Sequence, residues 1–210
     1  MKIPNKKLLN LVGKLEKSGV LQTEKIIKAF LEIDRRNFIP DDLKNYAYED
    51  TALPITENQT ISQPTTVAFM FELLRPDLDQ KILDIGAGSG WTGALLAHLV
   101  GPKGKIFAFE INERIGKFGQ KNIKKSGFKN IQYQISNAAD DWKKNAPYDR
   151  ILSGAAFENI PKNLTKQLSP NGILVAPTQN GFVKKIIRLT DGDLIEEEFF
   201  GFSFVPFIEK

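Results

Sequence analysis

The stretch "LDIGAGSGW", residues 83–91, limits what this chain can become more than any other. A short apolar run over residues 81–86 leads into glycines at 86, 88 and 90, and "WTGALLAHLV" follows with helical texture. Alternate glycines let a backbone turn sharply and approach a ligand closely. A strand that ends in such a turn and feeds a helix is the opening unit of a parallel α/β sheet, with a nucleotide at the strand's carboxyl end.

Two details bear on which nucleotide. A dinucleotide fingerprint of the form GxGxxG would place its third glycine at Trp91, where an indole obstructs close packing of helix on strand. Asp84 stands two residues before the first glycine, and a carboxylate at that mouth suits a cationic ligand better than a pyrophosphate. S-adenosylmethionine carries a sulfonium and an ammonium, so charge favours this methyl donor. Glu110 ends the next apolar run, "KIFAFE", 20 residues after Gly90. A carboxylate there can accept from both ribose hydroxyls, a feature dinucleotide proteins share.

The rest of the chain has the same rhythm. "IQYQI", "DRILSG" and "GILVAP" read as further strands, and "NERIGKFGQKNIKKSG" as a helix ending near Gly127. Strands alternating with helices give a doubly wound, mostly parallel sheet. Asp191-Gly192-Asp193 is a hairpin turn, so the sheet is expected to finish with antiparallel strands. Ahead of the sheet, helical periodicity runs over residues 5–19, again from Thr23, and over residues 62–74, with an irregular stretch at 38–55. A single domain over residues 1–210 is expected. Residues 1–60 form a helical extension and substrate-side segment, and residues 61–210 form the cofactor-binding core with its C-terminal hairpin.

Composition narrows the chemistry. Cysteine is absent and there is one histidine, His98, inside the apolar helix 91–100. That excludes thiolate and multi-histidine metal sites and argues against a serine–histidine triad. No metal is expected. Net charge is +4, with no aromatic–basic motif, so nucleic acid is not an expected partner. No apolar run reaches membrane-spanning length and no secretory leader opens the chain, which points to the cytoplasm. The position after the fourth core strand reads "SGAAFENIP", not the Asn/Asp-Pro-Pro-aromatic tetrapeptide of many amino-directed nucleic-acid methyltransferases. A carboxylate acceptor is ionised at neutral pH and needs no general base, which suits a chain short of bases.

Eight segments, "DRRNFIP", "YAYEDTALPI", "QTISQP", "LDIGAGSGW", "NAPYD", "GAAFENIP", "LSPNGILVAP" and "FSFVPF", together resemble the protein-L-isoaspartate (D-aspartate) O-methyltransferase family over residues 26–208. The glycine stretch is common to many methyltransferases. "QTISQP", with "YEDTALPI" and "FVPF", is more specific. The resemblance implies the Rossmann-like fold of a class I S-adenosylmethionine-dependent methyltransferase. It implies methyl transfer to the α-carboxylate of L-isoaspartyl residues in damaged proteins, which starts their repair. Carried over residue by residue, it makes Ser62 the active-site residue. It places cofactor contacts on Gln59, Thr60, Ile61 and Ser62, on Ala87, Gly88, Ser89, Gly90 and Trp91, and on Glu110, with Asn137 at the position of a family contact; the charge and turn arguments above add Asp84 and Gly86. It places substrate contacts on Ile55 and Val205. A monomer is expected.

Two positions depart from the family pattern. Asn137 stands where an aspartate usually reaches the adenine amino group, and Ala87 replaces a hydroxyl-bearing residue. They keep open a methyltransferase of the same scaffold with another peptide or small-molecule acceptor, and a non-catalytic cofactor-binding protein. Ser62 also has a plainer reading, as a helix N-cap worth about 1 kcal/mol, which Pro64 just inside the helix supports.

Overall fold

The structure, a computed structural model, describes residues 5–56 and 59–208; the first four residues of the expected helical extension lie outside them. Its centre is a seven-stranded sheet of β3 (Lys81–Ile85), β4 (Lys105–Glu110), β5 (Ile131–Ile135), β6 (Tyr148–Ser153), β7 (Leu168–Pro177), β8 (Phe182–Arg188) and β9 (Leu194–Phe200). The order is β5-β4-β3-β6-β7-β8-β9. The first five strands are parallel, and β8 and β9 run antiparallel. The expected α/β class is therefore present, with β8 and β9 meeting around Gly192, whose φ is +98°.

Burial on both faces explains the unbroken apolar runs. Ile82 packs on one side of the sheet with Ile106, Leu152 and Val175. Its neighbour Leu83 packs on the other with Phe107, Ile151, Leu174 and Trp142, since successive strand side chains alternate faces. The first face is covered by α3 (Pro64–Leu74), α4 (Trp91–Val100) and α5 (Glu113–Ser126). Two N-terminal helices, α1 (Lys6–Lys17) and α2 (Glu24–Glu32), bury Leu8, Leu11, Leu15, Ile26 and Phe30 in the same core. The second face carries the short helices α6 (Ala138–Asp141) and α7 (Lys162–Thr165), with Trp142 and Phe207 packed beside them.

Three local features differ from the expectations, and Thr23 has a distant partner. The strand expected over residues 172–177 begins at Leu168. A two-stranded antiparallel hairpin, β1 (Leu53–Thr56) and β2 (Gln59–Ile61), replaces part of the irregular stretch. Thr23 precedes α2 as expected, but its side chain caps nothing there. Its backbone N–H and its hydroxyl instead donate to Glu72 of α3, at 2.8 and 2.6 Å. The helix expected from residue 62 begins at Pro64, and the preceding residue is Gln63, extended as a residue before proline must be. Ser62 is thus not the cap. Asp50 caps α3 from outside, accepting from Thr65 N–H at 2.9 Å and from the Thr65 hydroxyl at 2.5 Å.

Candidate active site

The chain turns at β3, builds β4 and β5 on one side, then crosses to β6 and β7 on the other. The crevice at such a reversal, beyond the strands' carboxyl ends, is where open α/β sheets bind ligands. A cleft lies there. Gly86, Ala87, Gly88, Ser89 and Trp91 line it, with Glu110 and Asn137 beyond them. Ile55, Gln59, Thr60, Ile61 and Ser62 of the hairpin form another wall, and Val205 closes the rim.

Most of the glycine loop's backbone groups have partners. Ala87 N–H donates to Phe109 O at 2.9 Å, and Gly90 N–H to Ala87 O at 2.9 Å. Gly88 N–H donates to Glu110 Oε2 at 3.0 Å. The Tyr133 hydroxyl donates to Gly88 O at 2.6 Å, and Asn122 Nδ2 to Ser89 O at 3.0 Å. A loop tied this way holds its shape before a ligand arrives, which lowers the cost of binding.

Glu110 is nearly buried, and burial raises its carboxyl pKa against the pull of the backbone N–H groups it accepts from. One oxygen takes Gly88 N–H and the other takes Asn112 N–H, at 2.9 Å. Ile111 N–H also bears on the carboxylate, whose four lone-pair sites still leave accepting capacity for ligand hydroxyls. Asn137 Oδ1 accepts from Ala139 N–H at 3.0 Å, capping α6, and likewise keeps one lone pair for a ligand donor.

Two expected site residues do not line the cleft. Gly90 is turned away, in the left-handed region at φ +85°, and a Cβ there would press on Ile123 of α5; it is a packing glycine. Asp84 does not stand at the mouth. It shares a sheet face with Ile82, is 1% exposed, and accepts from the Thr92 hydroxyl at 2.8 Å under α4. Desolvation pushes its pKa from an ordinary 3.8 to about 7, helped by the Glu110 charge and opposed by Thr92.

A folded-state pKa raised this far has a signed consequence. Between about pH 4 and pH 7 the folded chain holds a proton that the unfolded chain releases. The stability tied to Asp84 is complete below about pH 4 and is lost as pH rises through about 7. Glu110 acts in the same direction. Asp84→Asn, always neutral, should flatten the decline in unfolding temperature between pH 4 and 8. Parallel profiles for the two proteins would show that Asp84 is already ionised in the folded state.

Sequence reasoning missed several lining residues. Ile111 and Asn112 directly follow Glu110 and could have been read from that position alone. Ser136, Ala155, Pro206 and Ile208 are brought in by tertiary structure. Val205 O accepts from Ala156 N–H at 2.8 Å, which pins the C-terminal segment over the β6 end. His98 is outside the cleft, with Nδ1 3.8 Å from Glu32.

Charge differs between the elements behind the two walls. Glu110 lines the cleft beneath the glycine loop, and Asp84 is buried behind it. Arg35, 1% exposed, lies behind the hairpin and is 5.5 Å from the centre of the Trp91 ring. Such a site can seat a cationic donor on one side and an anionic acceptor on the other.

The chain is similar to known proteins in sequence and in fold. The family model described as protein-L-isoaspartate(D-aspartate) O-methyltransferase matches residues 5–210. A curated protein-L-isoaspartate O-methyltransferase of Methanopyrus kandleri is 35% identical over 202 residues, covering 94% of this chain and 89% of its own length. One from Thermococcus onnurineus is 37% identical over 202 residues, covering 94% and 91%. Among solved structures, a candidate protein-L-isoaspartate O-methyltransferase from Plasmodium falciparum, in complex with S-adenosyl-L-homocysteine, superposes with a TM-score of 0.85. It covers 99% of this chain and 100% of its own, and at 22% identity this likeness shows the fold.

Proposed function

The chain belongs to the protein-L-isoaspartate(D-aspartate) O-methyltransferase family, and on that premise we propose that it methylates the α-carboxylate of L-isoaspartyl residues in damaged proteins, initiating their repair. The observation that carries the reading is one cleft lined by Glu110, held under the glycine loop, and by Ser62 with the hairpin facing it. S-adenosylmethionine fits the donor side. Glu110 has lone pairs for the ribose hydroxyls, Ile111 and Ile115 give an apolar wall for a base, and Asn137 has a polar end.

When bound, S-adenosylmethionine supplies an electrophilic methyl carbon on a positively charged sulfur. The acceptor carboxylate oxygen provides the electron pair, so no residue has to remove a proton. The opposite charges of donor and acceptor disappear as the ester forms. A cleft that excludes water therefore favours the reaction, and its walls contribute mainly by orientation, up to roughly 7–11 kcal/mol in the best cases. We assign orientation of the acceptor to Ser62, with Ile55 and Val205 along the peptide. Gln59, Thr60 and Ile61 contact the donor from the hairpin, and Ala87, Ser89 and Trp91 from the loop. We read residues 1–210 as one working unit, because the N-terminal helices share the sheet's core. We also read it as a cytoplasmic monomer that takes proteins, not nucleic acid, as substrate. Among the described residues no helix is long and apolar enough to cross a membrane.

The test is methylation of an isoaspartyl peptide with labelled donor, followed by mild base. A carboxyl ester releases its label as methanol, and an N-methyl group does not. Ser62→Ala should lower turnover more than donor affinity. A loss confined to affinity would assign Ser62 to the donor instead.

A further inference from the structure

The least economical residue in the fold is Arg35. A buried cation is costly to desolvate, and among the described residues no carboxylate forms an ion pair with it. Burial lowers its pKa to about 10, so it stays charged at neutral pH. Backbone carbonyls take its two terminal nitrogens instead, while Nε is buried with no partner among the described residues. Nη1 donates to Ala47 O at 3.0 Å, and Nη2 donates to Thr51 O at 2.9 Å and Ser62 O at 3.0 Å. Longer contacts reach Glu49 O at 3.4 Å and Ile61 O at 3.5 Å.

These acceptors are not scattered. Thr51 lies just before β1, and Ile61 and Ser62 lie at the end of β2 and just after it. One guanidinium therefore joins the two feet of the hairpin that walls the cleft. The hairpin itself is short, with a register shift between Pro54 and Thr56, and two strands of this length are marginal alone. Arg35 is held in turn. Asp34 caps the turn Arg35–Phe38 and accepts from the Tyr48 hydroxyl at 2.9 Å.

We propose that Arg35 is the positioning residue for the acceptor: it clips the feet of the β1–β2 hairpin and so sets where Ser62 stands relative to the methyl donor. This rests on the reading of the cleft as a carboxyl methyltransferase site. A planar fork is needed to bridge carbonyls from separate segments. Lysine, with one compact ammonium, can reach only part of the set.

The test compares Arg35→Met, Arg35→Lys and wild type, all in full-length protein. Turnover of an isoaspartyl peptide should fall roughly a hundredfold in Arg35→Met, the scale of an ångström-sized misplacement. The peptide KM should rise, and affinity for S-adenosylhomocysteine should fall by no more than about tenfold, because the hairpin's donor contacts loosen while those of Glu110 and the loop backbone remain. Arg35→Lys should recover part of the turnover. Hydrogen exchange with S-adenosylhomocysteine bound gives a readout independent of activity: amides of residues 59–62 should exchange faster, and those of β3 and β4 should not. If wild type methylates nothing, the functional reading fails, and exchange still decides the role of Arg35. Unchanged turnover with unchanged exchange would overturn the proposal. So would a loss of S-adenosylhomocysteine binding as large as the loss of turnover. If Arg35→Met does not fold, Tyr48→Phe serves. It should give a few-fold lower turnover and faster exchange at residues 47–51, and no change in either would overturn the proposal.

Discussion

Glu110→Ala lowers affinity for S-adenosylmethionine by roughly a hundredfold or more, measured by calorimetry. Two hydrogen bonds to a charged acceptor contribute about 1.5–3 kcal/mol each, and every ~1.4 kcal/mol is tenfold in affinity. The loss has a second part. Gly88 N–H and Asn112 N–H both donate to this carboxylate, so the variant leaves two backbone donors without their acceptor and loosens the loop as well. Glu110→Gln keeps the shape, loses the charge, and falls between the two. Unchanged affinity in Glu110→Ala would mean that the ribose does not sit on the β4 end.

Gly119→Ala is expected to do comparable damage from outside the cleft. Gly119 lies on α5 with its Cα against the loop, and a Cβ there would overlap both Gly88 O and the Tyr133 hydroxyl. The carbonyl is backbone and the hydroxyl is committed to it at 2.6 Å, so neither can yield cheaply. Overpacking of this kind costs about 1–3 kcal/mol of stability. Because the displaced atom belongs to Gly88, S-adenosylhomocysteine affinity should also fall, by more than about tenfold. Gly13→Ala is the control: nothing lies within 4 Å of its Cβ position inside α1. It should stabilise the protein by about 0.5–1 kcal/mol and leave affinity alone. Thermal unfolding with and without ligand reads both effects. Normal affinity in Gly119→Ala would show that the loop tolerates displacement and is not preorganised.

The parts of the site that were legible are local. The glycine loop and Glu110 each follow directly from a strand, and a strand's end says where its last side chain goes. Asp84 also obeys this logic. Period-two alternation puts it on the Ile82 face, under α4, where Thr92 is the second residue of the helix. Its polarity suggested a ligand; its register points inward, and register decides.

The hairpin was illegible for a different reason. Pro54 breaks the strand pattern, and the pairing is short and irregular. Its closure depends on Arg35, 16 residues from Thr51 and 27 from Ser62. Ser62 shows the same limit. Serine before a proline-led helix reads as a cap, yet Asp50, 15 residues from Thr65, takes that place. Contacts of such sequence separation leave no periodic trace.

Acceptor choice separates an isoaspartyl methyltransferase from any other enzyme on this scaffold, and a paired labelling experiment reads it. Two peptides of identical sequence are offered with labelled S-adenosylmethionine, one with an L-isoaspartyl linkage and one with the normal aspartyl linkage. The account predicts base-labile methyl ester on the isoaspartyl peptide and essentially none on its twin. Equal labelling of the two, or none on either, would contradict it.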